Sequence, residues 1–228
     1  MTTLVTLAER PELAEALDKL TREVWPNYIL ESDNEPNRLW PRVYVDFAQF
    51  QLILLDEDET IMACGNSIPF ALTDVHPNYL PAGWDDVFLQ GMRTFANGGA
   101  TNALALLAVS ISKQHQSKGL SLQLLQAMKA LASAHAFAFC VVAVRPNWKM
   151  RYPLPPIDHY VRWARADGAP FDPWMRVHWR LGAKVLAVAP KSMVITGSIA
   201  EWETGRAWLS RKRGFILYLA RLNLSIWM

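Results

Sequence analysis

Only two cysteines occur among the 228 residues, Cys64 and Cys140, each set in an apolar stretch and in no paired spacing. Two such thiols make no disulfide scaffold; they read as buried thiols of a reducing compartment, so a cytoplasmic location is expected. The opening residues, MTTLVTLAERPEL, lack a basic segment followed by an apolar core, so no secretory signal is expected. A long uninterrupted apolar run is missing too. The nearest to one, Leu120 to Val144, is broken by Gln123, Gln126, Lys129 and His135 and reads as a core helix followed by a core strand, with no membrane partner. Neither the Gly-rich dinucleotide fingerprint nor a Gly-Lys-Ser/Thr phosphate loop is present. Without Gly-x-Ser-x-Gly, an α/β-hydrolase-like enzyme is disfavoured. No Cys or His at ligand spacing completes a zinc site with His159 or His178, so no metal is expected.

Charge of either sign is also sparse in the body. The formal net charge of +2 comes from residues 205–228, which hold Arg206, Arg211, Lys212, Arg213 and Arg221 and no acid. Without those five, 18 basic residues face 21 acidic ones. A chain body with no basic stripe gives a nucleic-acid partner no footing.

What is present is a large apolar fraction, 51%, with ten Trp, enough to bury one sizeable core. Leu13, Leu17, Leu20 and Val24 recur at helical spacing, predicting a helix over residues 9–25 that ends at Pro26. Asn34–Pro41 reads as a loop. Phe50–Asp56 and Ile61–Phe70 flank an acidic turn and predict an antiparallel hairpin. After a Pro-rich connection, Asp74–Gly83, a short helix is predicted over Asp85–Phe95, stopped by Asn97-Gly98-Gly99. The apolar run Asn102–Ser112 predicts a central strand, and a helical pattern follows it to about His135. Phe137–Val144 supplies another strand, and the intervening helix makes the two parallel.

Arg145–Pro156 holds four prolines and must be largely irregular. Ile157–Arg165 and Trp174–Leu181 are helix candidates, the second capped by Asp172 and ended by Gly182. Lys184–Ala189 and Ser192–Thr196 look like late strands, the second continuing toward Trp202. The expected fold class is a mixed α/β domain.

Between the central strand and its helix lies Gln116-Ser117-Lys118-Gly119-Leu120-Ser121. Gly119 lets the backbone curl close to a bound group, and free amides of Ser117–Ser121 at a helix start suit a diphosphate, with Lys118 and the two serine hydroxyls adding contacts. The same residues also fit an ordinary strand-to-helix turn with Ser117 as its cap. Chemistry alone does not choose.

These residues resemble the GCN5-related N-acetyltransferase family, whose signature at a strand-to-helix junction is Gln/Arg-x-x-Gly-x-Gly/Ala; Gln116, Gly119 and Ser121 occupy its positions. Ser121 departs from the usual small residue by a hydroxyl. The order of elements matches over roughly residues 8–204, and PFDPWMRVHWRLGAK and SMVITGSIAEWE resemble a bacterial subgroup. The resemblance implies a sheet whose two central strands splay apart, and acetyl-CoA as cosubstrate. Its pyrophosphate would lie on the Gln116–Ser121 loop and its pantetheine arm along Val109, Ser110 and Ile111. It also implies direct attack by a small-molecule or peptide amine, without a covalent acyl-enzyme; neither Cys sits in a nucleophile motif.

Catalytic candidates follow. Glu201 and Glu203 flank Trp202, and strand alternation puts both carboxylates on one face, where one can orient or deprotonate an amine; solvated edge carboxylates fit equally. Tyr160 lies where the family often carries a thiolate-protonating tyrosine, with Tyr152 as rival and a core or capping role as the other reading. Arg176, His178 and Arg180 form either a satisfied polar face or a pocket for an acidic group. Acyl-CoA binding without turnover is the alternative function on the same scaffold.

Residues 205–228 depart from the family-like tail. Read one nucleotide back, permitted codons include a path spelling WTGLAFPETGFYLVPGALEPVHMD, so a frameshift is expected there. The domain proper is then 1–204, and the tail is expected to be poorly ordered or helical rather than a closing strand.

Overall fold

The computed structural model describes residues 2–195 and, for their backbone, 215–221. Two compact units are distinguished, one built from residues up to Ile68 with Leu106–Leu131, the other from Pro69–Ala105 with Ala132–Met193. The 215–221 segment belongs to the second.

In the first unit, β1 (Thr3–Thr6) pairs antiparallel with β2 (Leu52–Leu55), and β2 with β3 (Ile61–Phe70). The predicted hairpin is present, turned at Asp56, whose Oδ1 accepts from the amides of Asp58 and Thr60. A carboxylate does here what a Gly-containing two-residue turn does elsewhere. The first helix begins with a 3-10 turn, Pro11–Leu13, and continues as α1 (Ala14–Val24). Its apolar stripe, Leu17 and Leu20, packs with Ile53, Leu55 and Cys64. The following stretch folds into three short helices, α2 (Asn27–Leu30), α3 (Glu35–Leu39) and α4 (Val43–Asp46), where a loop was expected over Asn34–Pro41. Asn34 caps α3 by accepting from the Asn37 amide, and Pro36 sits in the first turn, which tolerates a missing N–H.

In the second unit, α5 (Trp84–Ala96) leads into β4 (Ala103–Ile111), which passes from this unit into the first. Helix α6 (Leu120–Ala134), most of it in the first unit, follows, then β5 (Phe139–Val144) in the second. The Ala138 amide donates to Asn102 O at 2.9 Å, so the chain entering β5 lies beside the chain entering β4. The stripe of α6 is buried at Leu120, Leu124, Leu125, Met128 and Ala132. Gly65 belongs to this contact: a Cβ there would come within 2.7 Å of the Met128 sulfur.

The later segments carry most of the corrections. The helix expected over Ile157–Arg165 is a single turn, α7 (Ile157–Tyr160); beyond it Ala164 bridges Pro170 across a turn holding Gly168 at φ +78°. Helix α8 (Pro173–Arg180) is capped by Asp172 as expected, and Gly182 ends it at φ +83°. Strand β6 (Lys184–Ala189) is present, but Ser192–Ile195 is not a strand. Ser192 instead caps α5: its Oγ accepts from the Trp84 amide at 2.7 Å and its carbonyl from the Asp85 amide at 2.9 Å. This contact is so close that a Cβ on Gly83 would lie 2.2 Å from Ser192 Cα. The rest of that expected strand, toward Trp202, lies outside the described residues.

Phe215–Arg221 forms β7, antiparallel to both β5 and β6, rather than the disordered or helical segment expected of the tail. Its alternating backbone partners, Val142 with Tyr218 and Val185 with Tyr218, place it between them. The strand order is β1-β2-β3-β4-β5-β7-β6, a mixed sheet flanked by helices. Among the described residues, no helix is long and apolar enough to cross a membrane.

Candidate functional site

The loop after β4 is built to leave amides open. Ser112 closes the strand by donating its amide to Met62 O, and its hydroxyl lies 2.8 Å from His115 Nδ1. One 3-10 turn, Lys113–His115, then brings the chain to Gln116. Ser117 (φ +63°) and Gly119 (φ +80°) both adopt the left-handed conformation. A non-glycine residue there is uncommon and costs local strain. Successive amides bent this way form a concavity that suits an anion.

The amides are not spent internally. The first intrahelical bonds of α6 run from Leu122 and Gln123 to Gly119 O. Among the described residues, no protein acceptor is recorded for the amides of Ser117, Lys118, Gly119, Leu120 and Ser121. Ser117, Lys118 and Gly119 are exposed, and the space beside Gly119 is empty to 4 Å. Leu120 turns its side chain into the core, so only its amide is available, and Ser121 is half-buried. Gln116 is exposed, with Nε2 3.4 Å from Ile111 O.

Along β4, Val109 and Ile111 are half-buried, whereas Ser110 is fully buried. Its Oγ accepts a hydrogen bond from Trp25 Nε1 at 2.8 Å. Trp25 carries no sequence motif; the only hint was a lone hydroxyl in an aliphatic strand.

Tyr160 sits in a different kind of place. It is 1% exposed, and its hydroxyl donates to Asp172 Oδ2 at 3.0 Å. Burial, and then the negative charge of Asp172, push the phenol well above its usual range. Tyr152, Trp163 and Phe171 surround its ring. Asp172, also 1% exposed, accepts in addition from the amides of Asn147, Trp148, Trp174 and Met175. One carboxylate thus ties the post-β5 loop, α7 and α8 together. Sequence reasoning found only its capping role, because the other donors are 12 to 25 residues away. A proton-donor role for Tyr160 requires breaking its bond to Asp172. Tyr152 leaves its carbonyl to Lys149, whose Nζ donates to it at 2.7 Å.

Of the α8 candidates, Arg176 donates to Pro170 O and Phe171 O and closes the preceding turn. His178 is buried against Trp174, and burial lowers its pKa to about 4. Arg180 is exposed. Glu201 and Glu203 lie outside the described residues. Among the described residues, no group of three or more His, Cys, Asp or Glu is placed to hold a metal ion.

The fold is that of GNAT-like domains. The loading GNATL domain of CurA from Lyngbya majuscula superposes with a TM-score of 0.70 at 19% identity, over 97% of this chain and 98% of that one. The GphF GNAT-like decarboxylase in complex with isobutyryl-CoA gives 0.67 at 16% identity, over 98% and 100%. No protein-family model matches. In sequence, the chain is 32% identical over 220 residues to the arginine N-acetyltransferase avaD of Aspergillus versicolor, covering 88% of this chain and 74% of that protein. The chain belongs to the GCN5-related N-acetyltransferase family.

Proposed function

We propose that this protein transfers an acetyl group from acetyl-CoA to an amine, with the Gln116–Ser121 loop cradling the cofactor diphosphate. The observation that carries this reading is the row of open amides from Ser117 to Ser121, bent by two left-handed residues at the start of a 15-residue helix. The helix dipole adds to their field. The backbone of Val109–Ile111 is assigned to the pantetheine arm.

The thioester supplies an activated carbonyl; the protein must bring the amine to it neutral and in line. Glu201 and Glu203 remain the carboxylates we assign to deprotonating or orienting that amine. Arginine, the acceptor in the name of the fungal relative, is the first amine to try.

Calorimetric or thermal-shift titration with acetyl-CoA and free CoA tests the cradle. A ligand at about 100 times its Kd stabilises the folded state by roughly 2.7 kcal/mol. Absence of a response to either ligand in folded protein defeats the assignment. Release of CoA thiol with arginine, other amino acids and peptide amines then tests turnover.

Acyl-CoA binding without turnover is the second reading. It draws on Tyr160, whose hydroxyl already donates its hydrogen bond to Asp172. Ligand-induced stabilisation without thiol release for any amine selects it.

A further inference from the structure

Ser110 is the only hydroxyl in the β4 run ALALLAVSI, and it is fully buried. A buried hydroxyl left unpaired is costly, so its partner matters. That partner is Trp25, the first residue past α1 and 85 positions away, whose indole N–H donates at 2.8 Å. The Trp25 backbone is itself held, its amide donating to Thr21 O at 2.9 Å. Cys64 on β3, whose thiol burial pushes up to about 12, donates to Asn66 Oδ1 at 3.9 Å. The Trp25–Ser110 bond thus links the end of α1 to β4.

Strand alternation sends the Ser110 side chain to one face and those of Val109 and Ile111 to the other. A group lying along the backbone edge of residues 109–111 has its position set by how this last part of β4 is pitched. The indole pins the strand at the middle one of those three residues. The other buried hydroxyl nearby, Ser112, is tied locally to His115 and gives no such long-range anchor.

We propose that Trp25 and Ser110 form a positioning pair that fixes the acyl end of the bound CoA thioester, separately from the loop that holds its diphosphate. This rests on the CoA reading above. The pair acts through the backbone of β4 and touches no reacting atom, so its loss misplaces the carbonyl without loosening the diphosphate.

The test compares the wild type, Trp25→Phe, Ser110→Ala and the double variant by calorimetry with CoA and acetyl-CoA, alongside kcat. Both single changes preserve most of the side-chain volume. Each single variant is expected to bind CoA within about twofold of wild type, to bind acetyl-CoA about fivefold more weakly and to lose about tenfold in kcat. The double variant is expected to lose no more than either single one, since both break the same bond. A wild type that binds no CoA overturns the cofactor reading, and the pair falls with it. A wild type that binds CoA, with variants whose affinities and kcat are unchanged or fall in parallel for both ligands, overturns the pair alone. Losses that multiply in the double variant also overturn it. If the wild type binds CoA without turnover, the ratio of acetyl-CoA to CoA affinity decides, and an unchanged ratio in the variants overturns the pair.

Discussion

The Gln116–Ser121 loop and the Asp172 cluster both depend on backbone amides and treat them in opposite ways. In the loop, amides face outward, two residues hold left-handed backbone, and the space beside Gly119 is open. Around Asp172, the carboxylate takes four amides and a phenol, and the rings of Tyr152, Tyr160, Trp163 and Phe171 close over the region. Hydrogen-bonding capacity that is spent holds a fold; capacity left open at a helix start is available to a ligand. Residue type alone does not separate the two cases.

The contrast breaks most visibly at its closed end. Asp172→Ala removes the cap of α8 and leaves the buried Tyr160 hydroxyl without its acceptor. A loss of about 3 kcal/mol in unfolding free energy is expected from the cap and the orphaned donors together. Urea denaturation measures it, and a loss below about 1 kcal/mol would mean the cluster is not a structural hub.

His178 tests the same unit by pH. Its folded-state pKa, about 4, lies below the ordinary value of 6.5, so the unfolded chain binds the proton first. Stability from this group is fully present above about pH 6.5 and is lost as pH falls toward 4, by about 3 kcal/mol in all. Subtracting the stability-versus-pH curve of His178→Gln from that of wild type isolates the contribution. Parallel curves between pH 7 and 4 would remove it.

At the open end, Gly119→Ala meets no clash, since nothing lies within 4 Å, but forces a side chain into φ +80°. A left-handed conformation costs roughly 1–2 kcal/mol for a non-glycine residue, so CoA affinity should fall about tenfold with the fold intact. Unchanged affinity would mean that the ligand does not use this curl. Tyr160→Phe separates the regions from the other side. A loss of about 1 kcal/mol in stability, with kcat within about twofold, is expected if the hydroxyl serves Asp172 alone. A drop in kcat beyond about a hundredfold, with loss of the alkaline limb of the pH profile, would return it to the reaction as a general acid.

Local signals made much of this scaffold legible. The hairpin, β4, α6, β5, β6 and the Asp172 cap of α8 follow from alternation, helical spacing and capping chemistry read within a few residues. What escaped depends on distant partners. Strand β1 is four residues long and half exposed, so its identity comes from its pairing with β2 rather than from its own pattern. Ser192 looked like a strand residue because nothing nearby shows that it caps a helix 108 positions upstream. Asn34–Pro41 was read as a loop, yet Pro36 sits in the first turn of α3 and Pro41 in a 3-10 turn, Trp40–Arg42. At the site, the Gly119 curl was visible as glycine in a motif. The left-handed Ser117, the commitment of Tyr160 to Asp172 and the Trp25–Ser110 bond were not, because each is decided by packing.

The smallest test asks whether left-handed backbone in this protein always signals a site. Ala136, just past α6, also has positive φ, at +56°. Its amide returns to Ser133 O and the Phe137 amide to Ala132 O, so here the conformation closes the end of a helix. Alanine pays the steric penalty at a position that glycine fills without strain, and the residue is exposed, so a substitution disturbs no packing. Ala136→Gly is therefore expected to raise stability by about 0.5–1 kcal/mol and leave CoA affinity unchanged. Ser117→Gly relieves comparable strain but also loosens the unliganded loop, so its gain should be smaller and CoA binding should weaken. If both changes affect stability and CoA affinity alike, then strain at Ser117 is only a helix-end effect like that at Ala136, and the open amides alone carry the distinction between the regions.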